Sequence, residues 1–172
     1  LVLLEKVDLH AVCVDRNSGK ILRDIRLFSE QEPQWIHELN SYASPTPVLE
    51  SGRAYFHFGT FGTACVDTRS GKVLWTNRTL RIMHENGPGS SPILWKNRLI
   101  FHLDGSDTQS VAALDTTTGQ VAWRTTRSGE LASNPQLKKS YATPAILKLG
   151  GREQLISQGA DWIYGYDPAI GQ

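Results

Sequence analysis

The stretch "ALDTTTGQVAW", Ala113 to Trp123, runs from apolar residues into an aspartate, crosses a polar turn to glycine and closes four residues later on a tryptophan. An aspartate carboxylate can accept hydrogen bonds from turn N–H groups, and glycine supplies a left-handed backbone that a side chain resists. The stretch therefore reads as a tight hairpin between two strands. Past the turn, Val121 and Trp123 alternate with Ala122, which predicts that the indole shares a face with Val121 and packs on a neighbouring sheet.

Related stretches stand at "CVDTRSGKVLW" (Cys65 to Trp75), "CVDRNSGKILR" (Cys13 to Arg23) and "GYDPAIGQ" (Gly165 to Gln172). Their aspartates, Asp15, Asp67, Asp115 and Asp167, are 52, 48 and 52 residues apart, and Gly19, Gly71, Gly119 and Gly171 follow at one fixed offset. A second marker keeps the same beat as "SYASP" (Ser41 to Pro45), "GSSP" (Gly89 to Pro92) and "SYATP" (Ser140 to Pro144), each 22 or 23 residues before its aspartate. Between marker and aspartate, "PVLESGRAYFHFG" and "PILWKNRLIFHLDG" each hold two apolar runs around a polar turn, so each repeat contains four strands. No sustained period of 3.6 residues is present, and helix is not expected beyond short turns. Short antiparallel strands at a period near 50 suit a radial array of small sheets, a β-propeller, better than a sandwich.

At these residues the chain resembles the PQQ-like propeller repeat family, which contains the quinoprotein alcohol dehydrogenases and the outer-membrane assembly lipoprotein BamB. The family's tryptophan-docking pattern, Ala-x-Asp-x-x-Thr-Gly-x-x-x-Trp, is matched in full by Ala113, Asp115, Thr118, Gly119 and Trp123. Cys65, Asp67, Ser70, Gly71 and Trp75 match with two replacements, and the first copy matches until Arg23 stands in for the tryptophan. The last copy has Gly165, Asp167 and Gly171, with Ile170 in place of the hydroxyl residue. WD40 repeats would place Trp-Asp at a strand end, and kelch repeats would need a recurring double glycine, which only Gly150 and Gly151 supply.

The resemblance implies an all-β propeller of four-stranded antiparallel blades. Residues 1–40 are the end of one blade and a linker, 41–88 and 89–139 are blades, and 140–172 are an incomplete blade. The chain is expected to be an internal fragment, an open arc of about three blades from a ring of seven or eight, which needs roughly 350 to 400 residues at this period. It also implies an exported protein of the periplasm or cell envelope. Two functions come with it. One is a non-enzymatic scaffold that holds a protein, peptide or glycan on its loop face; the other is an alcohol or sugar dehydrogenase dependent on pyrroloquinoline quinone (PQQ) and calcium. The adjacent paired cysteines of some quinoprotein dehydrogenases are not in this sequence, which favours the scaffold.

Composition narrows the field further. Eighteen Lys and Arg against seventeen Asp and Glu give a formal charge of +1, so no general field draws nucleic acid or an anionic membrane. No apolar run approaches a membrane span. Cys13 and Cys65 occupy one repeat position on successive blades, too far apart for a disulfide, and read as two buried free thiols. Asn77-Arg78-Thr79 is a glycosylation sequon in form.

The repeat also sorts loops onto faces. Aspartate-glycine turns lie on one face, while the links between repeats and those joining second to third strands emerge on the other. That second face carries the densest polar set, His84, Glu85, Asn86, Asp104 and Asp107, with His37, Glu38 and Asn40 repeating its flavour one blade earlier. In the family's dehydrogenases, cofactor and calcium lie on the corresponding face. Asp104-Gly105-Ser106-Asp107 lacks the further acidic ligands of a calcium loop and reads as a turn. His57 and His102, at matching points of second strands where the third repeat has Ser157, read as packing residues and not as a metal pair. Trp95 and Trp162 are expected between blades, and Trp35 as a cap. No catalytic residue and no metal site is assigned.

Overall fold

The computed structural model describes residues 5–172, so the first four residues of the expected blade end and linker at 1–40 lie outside the described residues. Among the described residues, thirteen strands and two single 3-10 turns, Gly59–Phe61 and Pro135–Lys138, make up the regular structure. The first sheet pairs β1 (Lys6–Val14) with β2 (Ile21–Gln31). The second runs β3 (Val48–Glu50), β4 (Arg53–His57), β5 (Thr63–Asp67), β6 (Val73–Asn77). The third runs β7 (Ile93–Trp95), β8 (Arg98–Asp104), β9 (Gln109–Asp115), β10 (Val121–Thr126), and the fourth β11 (Ala145–Leu149), β12 (Arg152–Gln158), β13 (Ile163–Tyr166). Every pairing is antiparallel between chain neighbours, and the sheets form an open array.

Period-2 alternation splits the central strands between two cores. On β8, Leu99, Phe101 and Leu103 face the second sheet with Tyr55 and Cys65, while Ile100 faces the fourth with Leu155 and Tyr166. On β9, Ala112 and Leu114 take the first side and Val111 and Ala113 the other. Because both faces of the third sheet are covered, these residues are fully buried. A separate cluster of Leu9, Phe28, Tyr42, Phe58, Phe61 and Ala64 joins the first sheet to the second.

Alternation fails beside the turn in each complete aspartate-glycine hairpin, and once more between Leu9 and His10 on β1. Cys13 pairs with Arg23 and Val14 with Ile21; Cys65 with Trp75 and Val66 with Val73; Ala113 with Trp123 and Leu114 with Val121. One extra residue, Leu22, Leu74 or Ala122, sits opposite no partner and forms a β-bulge. The expectation that Trp123 shares a face with Val121 is therefore wrong. Trp123 points with Ala113 into the core against the fourth sheet, and Val121 is exposed.

Two further expectations need correction. Cys65 is buried, but Cys13 is exposed. Cys65 is flanked by Tyr55 on β4 and Trp75 on β6, whereas Cys13 has Arg23 on one side and no paired strand on the other among the described residues. Trp95 does fill between sheets, its Nε1 donating to Glu153 across the gap at 3.1 Å. Trp162 does not: it is 47% exposed and its Nε1 donates to the Glu130 carbonyl of a linking loop at 2.8 Å.

Candidate functional site

The two ends of the sheets are built on different chemistry. At the turn end, Asp15 accepts from the N–H groups of Asn17 and Ser18 at 3.2 and 2.7 Å, and Asp115 from those of Thr117 and Thr118 at 2.9 and 3.0 Å. Asp67 accepts from Ser70 N–H at 2.6 Å and Asp167 from Ala169 N–H at 2.7 Å. These bonds favour the ionised carboxylates and hold Asp15, Asp67 and Asp115 below the usual range, chiefly through the Ser18 and Ser70 hydroxyls and the Thr118 N–H.

Each of the three later turns is gripped by the preceding repeat. Trp75 lies on Gly119, where an added Cβ would stand 2.5 Å from the indole, and its Nε1 donates to the Thr116 carbonyl at 3.0 Å. Trp123 lies on Gly171 in the same way and donates to the Pro168 carbonyl at 3.2 Å. Arg23, the odd residue of the first copy, makes the equivalent contact: it packs on Gly71 and donates to the carbonyls of Thr68, at 3.2 Å, and Arg69. Asn77 of the sequon donates its amide to the Gly119 carbonyl at 2.7 Å, which occupies the nitrogen a glycan would need.

The loop end holds the candidate residues. His84 is buried; its Nε2 accepts from Thr60 N–H at 2.7 Å, its own N–H donates to Gln34, and burial lowers its pKa to about 4. Glu85 adopts a left-handed backbone at φ 61° and receives Lys139 Nζ at 2.9 Å as well as the Gln136 amide. The Lys139 hydrogen bond is the main reason the Glu85 carboxyl titrates below its ordinary value. Asn86 donates to Tyr141 Oη at 3.1 Å, and its carbonyl receives Asn40 at 2.7 Å and the His37 N–H at 3.3 Å. His37 is exposed, with Nδ1 accepting from Leu39 N–H at 3.2 Å. Asp107 is exposed and accepts from Met83 N–H at 2.8 Å.

Asp104 stands apart from this set. It is buried and held by Arg127 through two bonds, 2.6 and 2.7 Å, from a guanidinium that is itself buried. Burial pushes the Asp104 carboxyl up against the pull of Arg127. Arg127 also donates to Ser157 Oγ at 2.9 Å, and Ser157 meets His102 Nε2 at 2.8 Å. Sequence reasoning missed this network. The two strand histidines do not pair: His57 stacks on Phe101 with ring centres 4.1 Å apart and bonds Thr63 Oγ1 at 2.9 Å. Burial lowers His57 and His102 to about 3 each, so both are neutral.

The structure therefore brings His37, Asn40, Asn86 and Tyr141 around one hollow of about 260 Å3, and Glu85, Asn86, Gln34, Gln136, Trp35 and Met83 around another of about 420 Å3. Trp35 lies beside His37, the ring centres 6.1 Å apart, so the two hollows adjoin. His84 and Asp104 instead border a separate, much smaller pocket, and Asp107 belongs to neither hollow.

These donors do not fit a calcium-bound quinone. Asp104 is used by Arg127 and His84 by Thr60, the small pocket they border is far smaller than a tricyclic ring, and no three acidic, histidine or cysteine side chains converge among the described residues. No helix among them is long and apolar enough to cross a membrane.

Among solved structures, BamB from Moraxella catarrhalis is similar at 18% identity and a TM-score of 0.62, over 98% of this chain and 45% of that one. A europium-containing methanol dehydrogenase gives 12% identity and 0.62 over 99% and 39%. The quinohemoprotein alcohol dehydrogenase from Comamonas testosteroni gives 13% and 0.56 over 92% and 30%. The chain spans less than half the length of each, and at these identities the likeness shows the fold, a β-propeller. No curated protein matches the sequence. A family model described as outer membrane protein assembly factor BamB matches residues 8–172, nearly all of the sequence, and the chain belongs to that family of PQQ-type propeller repeats.

Proposed function

We propose that this chain is part of a non-enzymatic binding module of the cell envelope, and that its loop face holds a protein partner. One observation carries the choice of a protein over a glycan. The polar side chains of the loop face are committed within the chain: Gln34 to Ile82 and His84, Asn40 to Asn86 and Pro88, Glu85 and Gln136 to Lys139. Beside the exposed Glu38, the surface left over is largely apolar or aromatic, with Trp35 at 42%, Leu39 at 88%, Met83 at 48% and Tyr141 at 40% exposure. Sugar hydroxyls would find few unpaired groups there, whereas exposed Trp, Tyr and Met inside a polar rim are the composition of a protein interface. The family description, an outer membrane protein assembly factor, supports the same reading and the cell-envelope location.

The test is site-specific photo-crosslinking in the full-length protein in its native cells. A crosslinker at Met83 or Leu39 should give a discrete protein adduct, and one at exposed Thr117 on the turn face should give none. Equal labelling from both faces overturns the reading. So does stoichiometric, calcium-dependent binding of PQQ by the full-length protein.

A further inference from the structure

Beneath the loop face, His57, His84, His102, Ser90, Ser140 and Tyr141 border a cavity with about 10 Å3 of room for a water-sized sphere. That is the space of one water molecule. Two buried polar atoms on its wall lack a partner, Ser90 Oγ and His102 Nδ1, and the two residues are 7% and 2% exposed. Ser90 belongs to the link between the second and third sheets, and His102 to β8. A buried group of either kind is costly to leave unpaired, which makes two orphans on one small cavity an arrangement needing an occupant.

The hydrogen-bond roles follow from the neighbours. Arg127 Nη1 donates to Ser157 Oγ, so the Ser157 hydrogen is free to go to His102 Nε2. A neutral ring that accepts at Nε2 carries its proton on Nδ1. The backbone of Ala142 approaches this ring and favours its charged form, but not in hydrogen-bonding geometry. His102 Nδ1–H is then a donor without an acceptor, and Ser90 Oγ an acceptor without a donor.

We propose that this cavity is a binding site for a single water molecule that accepts from His102 Nδ1–H and donates to Ser90 Oγ. A metal ion would need more donors than the wall can offer, because His57 Nδ1 is taken by Thr63 and His84 Nε2 by Thr60. The water completes a continuous chain from Ser90 through His102, Ser157 and Arg127 to Asp104. It ties a linking loop to the third and fourth sheets at the end where no repeated turn does so.

The test combines a crystal structure of the full-length protein, at a resolution that shows waters, with nitrogen-15 NMR of its histidines. The expected result is one spherical peak about 2.6–3.2 Å from both Ser90 Oγ and His102 Nδ1, together with an Nδ1-protonated His102 whose proton exchanges magnetisation with water. In Ser90→Ala the peak should lose at least half its occupancy while the Ser157–His102 contact persists. An Nε2-protonated ring, a cavity without density, a direct Ser90–His102 bond, or an anomalous-scattering peak would each overturn the proposal.

Discussion

The turn face and the loop face are joined by the same strands and solve the same stacking problem by opposite means. At the turn face each sheet grips the next with one repeated device, a long side chain laid on a left-handed glycine, and the hydrogen bonds inside each turn run between residues two or three apart in sequence. At the loop face the side-chain pairings do not repeat: Asp104 meets Arg127 across 23 residues and Asn86 meets Tyr141 across 55, although the links share one recurring bond, from Thr46 N–H to Ser91 Oγ and from Ser91 N–H to Thr143 Oγ1. Repetition thus marks the contacts that sheet after sheet makes alike, and its absence marks the end whose side chains are particular to this chain, where the proposed partner would be held.

Acid should separate the two faces most strongly. His57, His84 and His102 all lie at the loop end with pKa values lowered to about 3, 4 and 3, so the folded state excludes protons that the unfolded chain takes up near 6.5. Their contribution is present above that value and is lost as pH falls through it, with a slope approaching roughly 4 kcal/mol per pH unit once all three are protonated in the unfolded chain. The turn aspartates are lowered from 3.8, so theirs is lost only below that value. Hydrogen exchange on the full-length protein at pH 5 should therefore release the Thr60 amide before those of Ser70 and Thr118. The reverse order would break the comparison.

Next in size is the buried ion pair. Arg127→Met strands the Asp104 carboxylate in the interior and should cost about 3–5 kcal/mol in urea unfolding. A loss below 1 kcal/mol would mean that the loop end does not depend on it. At the turn face, Gly52 in the β3–β4 turn and Gly119 are both left-handed, at φ 80° and 71°, yet a Cβ meets nothing within 4 Å at Gly52 and the Trp75 ring at 2.5 Å at Gly119. Gly52→Ala should cost about 1–2 kcal/mol for the backbone alone, and Gly119→Ala roughly 1–3 kcal/mol more for the displaced indole. Equal losses would show that the grip adds nothing. Smallest is Met83→Arg, an exposed site whose stability change should stay within about 0.5 kcal/mol while the loop-face adduct disappears.

What could be read from the sequence follows the same division. The aspartate-glycine turns were legible because the bonds that shape them lie within a few residues, and so were the strands between them. The bulges at Leu22, Leu74 and Ala122 were not, because simple alternation carries no sign of an unpaired residue, and so Trp123 was turned to the wrong face. Arg23 concealed its role because a guanidinium replaces the flat ring and indole N–H of tryptophan by a different shape with the same reach. The loop-face pairings are long-range and escape any periodic reading. Yet one signal was present: two residues after His57, His102 and Ser157 stand Gly59, Asp104 and Gly159, and a lone aspartate among glycines in a buried strand end calls for a cation.

The most direct test of the account measures one quantity, partner adduct per folded molecule, for Met83→Arg and Gly119→Ala in the full-length protein crosslinked at Leu39. The account predicts that Met83→Arg removes the adduct at unchanged stability, whereas Gly119→Ala lowers the folded fraction and leaves the adduct per folded molecule intact. An adduct that survives Met83→Arg, or one that falls with Gly119→Ala in molecules that remain folded, would contradict the division of labour between the two faces.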